Sequence, residues 1–167
     1  MANFVFNIAR GTLHYYYHAV ENSLAVTATG TPAFTSTANA VFTIVLLETT
    51  GLEADATLAD YDELAALLAG TSNEQTNQAR KTLSDADLAA VPAPDDTNNR
   101  YDLDIPDITW TALAGNAISK LLVCFDPDST AGTDSSIIPL TAHDFVVTPD
   151  SSDVTAQINT AGFYRSS

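Results

Sequence analysis

Two uninterrupted apolar runs stand out in a chain that elsewhere mixes polar and apolar positions freely. Leu121-Leu122-Val123-Cys124-Phe125 is stopped by Asp126-Pro127-Asp128, and residues 40–47 read Ala-Val-Phe-Thr-Ile-Val-Leu-Leu before Gly51 ends them. Short runs rich in β-branched and aromatic residues, closed by turn formers, predict strands buried on both faces. Beyond a Ser/Thr/Gly-rich loop through Asp134, Ile137-Ile138-Pro139-Leu140 and residues 143–147 return toward the Leu121 run as its neighbouring strand. The stretch 116–149 is therefore the expected centre of the molecule.

Around this centre the pattern is weaker. Residues 4–8 alternate loosely. Residues 13–20 contain three consecutive tyrosines and, on β propensity, predict a strand, with a helix over 8–20 as the alternative. Residues 22–39, dominated by Ala, Thr, Ser and Gly, predict an extended arm or a long hairpin. Leu58, Tyr61, Leu64, Ala65 and Leu68 recur at helical spacing, with Thr57 and Asp60 as a capping pattern and Gly70 as the stop, which predicts one helix. Ser84 and Asp87 repeat the capping pattern ahead of a short helix ending before Pro92. Residues 92–107, rich in Pro, Asp and Asn, predict a surface connector. Ile108, Trp110 and Leu113 predict a strand, as do Val154, Ala156 and Ile158, with Phe163-Tyr164 closing the tail. The sum is a single domain over residues 1–167 of the α+β class. It has a mainly antiparallel, β-sandwich-like core, with one helix and a long helical and loop region (residues 53–107) inserted.

Charge changes this picture more than composition does. Six Lys plus Arg face 21 Asp plus Glu, a net charge of −15. Such a surface repels phosphate backbones and anionic lipid, which argues against nucleic-acid and membrane partners. The lone cysteine, Cys124, lies inside an apolar run and predicts a buried thiol. No leader or span-length apolar run is visible, so synthesis in a reducing cytoplasm is expected.

Three constellations invite a chemical reading. His14 and His18 stand four apart, a metal-pair spacing on a helix and a same-face spacing on a strand; three tyrosines between them favour an aromatic strand face. Residues 126–134 resemble a calcium loop but place Gly132 at the seventh position and Ile137 at the twelfth, so a turn held by Asp and Ser side chains fits better. His143 and Asp144 are adjacent, so on a strand they point to opposite faces and do not form a dyad. No catalytic, cofactor or metal site is expected, and the chain is not expected to be an enzyme.

Several phrases carry a family resemblance when taken jointly. They are Met1-Ala2-Asn3-Phe4-Val5-Phe6, Gly51-Leu52-Glu53-Ala54-Asp55, Arg80-Lys81-Thr82-Leu83 and Pro92-Ala93-Pro94-Asp95-Asp96. Further along come Trp110-Thr111-Ala112, Lys120-Leu121-Leu122-Val123 with Asp126-Pro127-Asp128, Ile137-Ile138-Pro139-Leu140-Thr141 with His143-Asp144-Phe145, Val147-Thr148-Pro149-Asp150, and Ala161-Gly162-Phe163-Tyr164-Arg165. Together they resemble a family of small virion-associated proteins of tailed bacteriophages. Two departures are Ser151, where family members usually carry Gly, and a longer, Thr/Ala-rich segment from His14 to Ala38. The resemblance implies a structural role in the particle and does not decide between head and tail. Small size, the lack of catalytic motifs and the acidic surface favour a capsid decoration (cement) protein on the outside of the head, bridging major capsid subunits, made in the host cytoplasm. A tail component (tube, fibre or adaptor subunit) is the alternative, and a host-glycan-binding module using the tyrosines and Trp110 a third. Self-association, as a trimer, is expected, with Tyr15, Tyr16, Tyr17, Phe163 and Tyr164 as candidate interface residues beside exposed strand edges.

Overall fold

The computed structural model describes residues 2–29, 34–88, 90, 93, 95–159 and 162–166; the expectations at Pro92, at Ala161 and at the centre of the 22–39 segment lie outside them. The elements run β1 (Phe4–Val5), α1 (Leu13–Glu21), β2 (Thr27–Ala28), β3 (Phe34–Thr35), β4 (Val41–Glu48), α2 (Asp55–Leu58), α3 (Leu64–Leu68) and β5 (Lys81–Leu83). They continue as β6 (Tyr101–Leu103), β7 (Ile108–Trp110), β8 (Ile118–Asp126), β9 (Ile138–Val147), β10 (Val154–Ala156) and β11 (Tyr164–Ser166). The fold is α+β, built on an antiparallel five-stranded sheet of order β1-β9-β8-β4-β5, with β2–β3, β7–β10 and β6–β11 as two-stranded ribbons.

The two apolar runs are the sheet's inner strands. Every residue of β4 and β8 is buried, because both sheet faces are covered. Phe42, Ile44, Leu46, Leu121, Val123 and Phe125 point to one face, while Val45, Leu47, Leu122 and Cys124 point to the other. The returning segment pairs with β8 as expected, with register shifts between Val123/Cys124 and Ile118/Lys120. Pro139 sits at the first shift, where a missing amide donor is tolerated.

The first face carries α1 and the two C-terminal ribbons. Here the structure corrects the strand expected over residues 13–20: Leu13–Glu21 is an α-helix. Leu13, Tyr16, Tyr17 and Val20 are buried and His14 and His18 exposed, a 3.6-residue period that outweighs the β preference of tyrosine. The 22–39 segment forms the small β2–β3 hairpin. It is tied down by Phe34, whose ring lies 5.2 Å from that of Phe125, and by buried Ser36, which donates to the Leu24 carbonyl at 2.8 Å.

The second face is closed by Phe6, Leu58, Leu64 and Leu67. The single helix expected over residues 58–68 is two short ones, and Thr57 lies inside α2 rather than capping it. Tertiary bonds cause the break. Asn7 N–H donates to the Ala59 carbonyl (2.8 Å), while Leu64 and Ala65 N–H donate to the carbonyls of Ile137 and Asp134 (2.9 and 3.0 Å). The Ser84–Asp87 capping box is present and opens a single 3₁₀ turn.

The 92–107 connector contains an element after all: β6 pairs with β11, and Leu103 and Ile105 are buried. Both chain ends thus find strand partners within the chain, β1 on β9 and β11 on β6. Gly162, at φ +81°, lets the tail pass against the Leu103 carbonyl where a Cβ would collide.

Candidate functional site

A cleft of about 340 Å³ opens where the cover of the first face is incomplete, between β9 and the chain leading from β10 to β11. Leu121, Val123, Phe145, Ala156, Ile158 and Phe163 give it apolar walls. Asn3, His143, Asp144, Gln157 and Asn159 supply its polar groups. Size and lining resemble those of small-ligand sites, which are mostly apolar with a few fixed polar groups.

His143 is the titratable group in the wall. Its Nε2 lies 2.9 Å from Thr141 Oγ1. Burial, and then the charge of Lys120, hold its pKa below the usual histidine value, against an opposing pull from Asp144. The ring is therefore neutral at pH 7. As expected from their adjacency, Asp144 does not orient His143; its Oδ1 instead accepts from Lys120 Nζ at 2.8 Å. The Thr141 hydroxyl belongs to a residue 1% exposed, so the His143–Thr141 contact faces the protein rather than a substrate. The arrangement can hold an uncharged, largely apolar group; it does not present an activated nucleophile.

Lys120 is the feature sequence reading passed over. It is 0% exposed. Its Nζ donates to the Ala2 carbonyl (2.8 Å) and to Asp144 (2.8 Å), approaches Asp55 Oδ1 at 3.0 Å outside hydrogen-bonding geometry, and lies 5.2 Å from the Phe4 ring centroid. Burial raises the Asp55 pKa, but the Ala2 amide (2.8 Å to Oδ2) and Lys120 together bring it below the ordinary value. The N-terminal strand, α2 and β9 thus meet on one ammonium. A signal existed: a lone lysine at the head of an apolar run in a strand buried on both faces must find carboxylates.

Four of the six bases are held in this way. Arg80 forks onto Glu74 (Nε–Oε1 2.7 Å) and Asp134 (Nη1–Oδ1 2.5 Å), Arg100 pairs with Asp95 and Asp102, and Arg165 with Asp102. The fork locks the 126–134 loop. Asp134 is drawn below the ordinary carboxylate pKa by Arg80, Asp128 caps Thr130, and Asp126 accepts from the Asp128 amide. These are turn bonds, and among the described residues no group of three or more His, Cys, Asp or Glu is arranged to hold a metal ion.

The candidate interface residues are divided. Tyr16 and Tyr17 are 1% exposed and Phe163 8%. Tyr16 meets Phe125 in a tilted contact (4.8 Å between ring centres) and Phe163 meets Phe42 edge-on (6.0 Å), and Tyr16, Tyr17 and Phe163 pack in the chain's own core. Burial pushes Tyr16 and Tyr17 up to about 12, and the Tyr17 hydroxyl donates to the Asp104 carbonyl at 2.8 Å. Tyr15 and Tyr164 are half-buried and retain some open surface. Trp110 is 1% exposed and meets Phe145 at 5.8 Å, not solvent. Val146 on β9 is 76% exposed. Cys124 is fully buried, and burial drives its thiol pKa far up. Comparison with protein-family models, with curated proteins and with solved structures yields no match.

Proposed function

We propose that this chain is a structural protein of a tailed-bacteriophage particle, seated on the outside of the head as a decoration protein that bridges major capsid subunits. The phrases quoted above carry the family reading, and one structural observation supports the outward placement. Four of the six bases, Arg80, Arg100, Lys120 and Arg165, are paired with the chain's own carboxylates, and most of the remaining acids stand at the surface. Such an exterior repels packaged DNA and suits contact with a shell that offers cationic groups. At Ser151, one of the two departures from the family pattern, the backbone adopts φ +70°, a left-handed conformation that glycine takes without strain.

Copy number and position test the proposal together. Heads lacking the chain are incubated with purified protein, and occupancy is read by density and mass. Copies approaching those of the capsid subunit, on the outer shell and falling with added salt, are the expected result. A few copies per particle confined to the tail overturns the head assignment. The same preparation reports whether the bound unit is a trimer.

A further inference from the structure

The helix that replaces the expected strand changes what His14 and His18 can do. Leu13, Tyr16, Tyr17 and Val20 fix the rotation of α1 by turning into the core, which leaves His14 and His18 exposed. At i and i+4 they are neighbours one turn apart, with Cβ atoms about 5–6 Å from each other. That is the separation at which two imidazoles chelate one ion on a helix.

We propose that His14 and His18 form a two-imidazole site for one divalent transition-metal ion of the zinc and nickel class, with water completing the coordination shell. Imidazole is a borderline ligand that prefers these ions to magnesium or calcium. This separates the pair from the many surface carboxylates, which favour the harder ions. The proposal is independent of the decoration role.

Asn22 competes with the ion for His18. It caps α1, and its Nδ2 lies 2.9 Å from His18 Nδ1 and 3.1 Å from the His18 carbonyl, and also meets Glu21 Oε2. The amide donates to Nδ1, so the ring proton sits on Nε2. A half-turn of the carboxamide is disfavoured, because it would set Oδ1 against the His18 carbonyl and the Glu21 carboxylate. Ligation through Nε2 therefore moves the ring proton to Nδ1 and breaks the Asn22 contact.

The test is calorimetric titration of the full chain with Zn²⁺, in excess Mg²⁺ to occupy the carboxylates. One ion per chain is expected. His14→Ala and His18→Ala should each weaken binding by at least about tenfold. Both histidines are exposed, so their variants should keep the wild-type melting temperature and far-UV spectrum. Unchanged zinc binding in the double His14→Ala/His18→Ala variant overturns the site, as does displacement of zinc by Mg²⁺.

Discussion

On one face of the central sheet α1 lays Tyr16 and Tyr17 against Phe125 and Phe42, and Phe34, Phe163 and Trp110 extend the aromatic layer. On the other face Leu58, Leu64 and Leu67 close over Leu122 and Cys124. The fully buried Lys120 is held at one end of β8. The first cover is assembled from separate pieces, a helix and short ribbons, and leaves the cleft between them. The second is small, mostly aliphatic and continuous, and it carries the one buried lysine with its carboxylates partly in water. Large rigid rings bury much area but tile poorly. Small branched side chains tile well, and at the strand end they leave room for a charge.

Neighbouring leucines of β8 give the sharpest test of that contrast. Leu122 is 0% exposed on the aliphatic face and Leu121 is 3% exposed at the cleft wall. Leu122→Ala should cost about 4 kcal/mol, because the void it leaves is enclosed. Leu121→Ala should cost about 2 kcal/mol, since its void opens into a cleft that water can enter. Chemical denaturation of the two variants measures both, and equal losses would mean that the cleft is closed in solution.

Lys120→Ala comes next, at about 3 kcal/mol. This is the low end for breaking a buried pair, because Asp55 and Asp144 keep water when the ammonium is lost (side chains 27% and 35% exposed). The loss should be accompanied by faster hydrogen exchange in residues 2–6, which the lysine ties to α2 and β9.

The two faces also fail at opposite ends of the pH scale. Tyr16 and Tyr17 have folded pKa values near 12 against 10.0 when unfolded. Above pH 10 the unfolded chain releases protons that the folded chain retains, so stability falls between pH 10 and 12. Asp55 has a folded pKa below 3.8. Its contribution is present above that value and drains away as pH falls below it, together with that of Asp134, whose pKa Arg80 depresses. Tyr17→Phe should flatten the alkaline fall and leave the acid one unchanged, and Asp55→Asn should do the converse. Melting temperatures across pH read both slopes.

The smallest expected effect is a gain. Ser151→Gly relieves a left-handed serine but adds freedom to the unfolded chain, and should stabilise by about 0.5 kcal/mol. A loss there would show that the serine side chain has a role outside its backbone conformation.

Sequence alone determined the centre of this protein. The runs at 40–47 and 121–125 admitted little except strands covered on both faces, since alternation disappears when neither face meets water. The same logic located β9, the buried thiol and the separation of His143 from Asp144. It also contained the correct account of α1. Apolar positions at 13, 16, 17 and 20 were on the page, but a run of tyrosines favours strand locally, and only the surface offered by Phe42 and Phe125 decides which period is used. Tertiary structure decided the rest. Residues 58–68 break into two helices because Ile137 and Asp134 offer carbonyls to their amides, distant partners along the chain that no local pattern encodes. Three of the five aromatic residues expected at an interface, Tyr16, Tyr17 and Phe163, went into the core for a similar reason: whether Tyr17 or Phe163 faces a partner or Phe42 depends on where β4 and the tail meet. Charge number was legible from composition, but the pairing of the bases was not, because an ion pair between Arg80 and Asp134 exists only after the chain has folded.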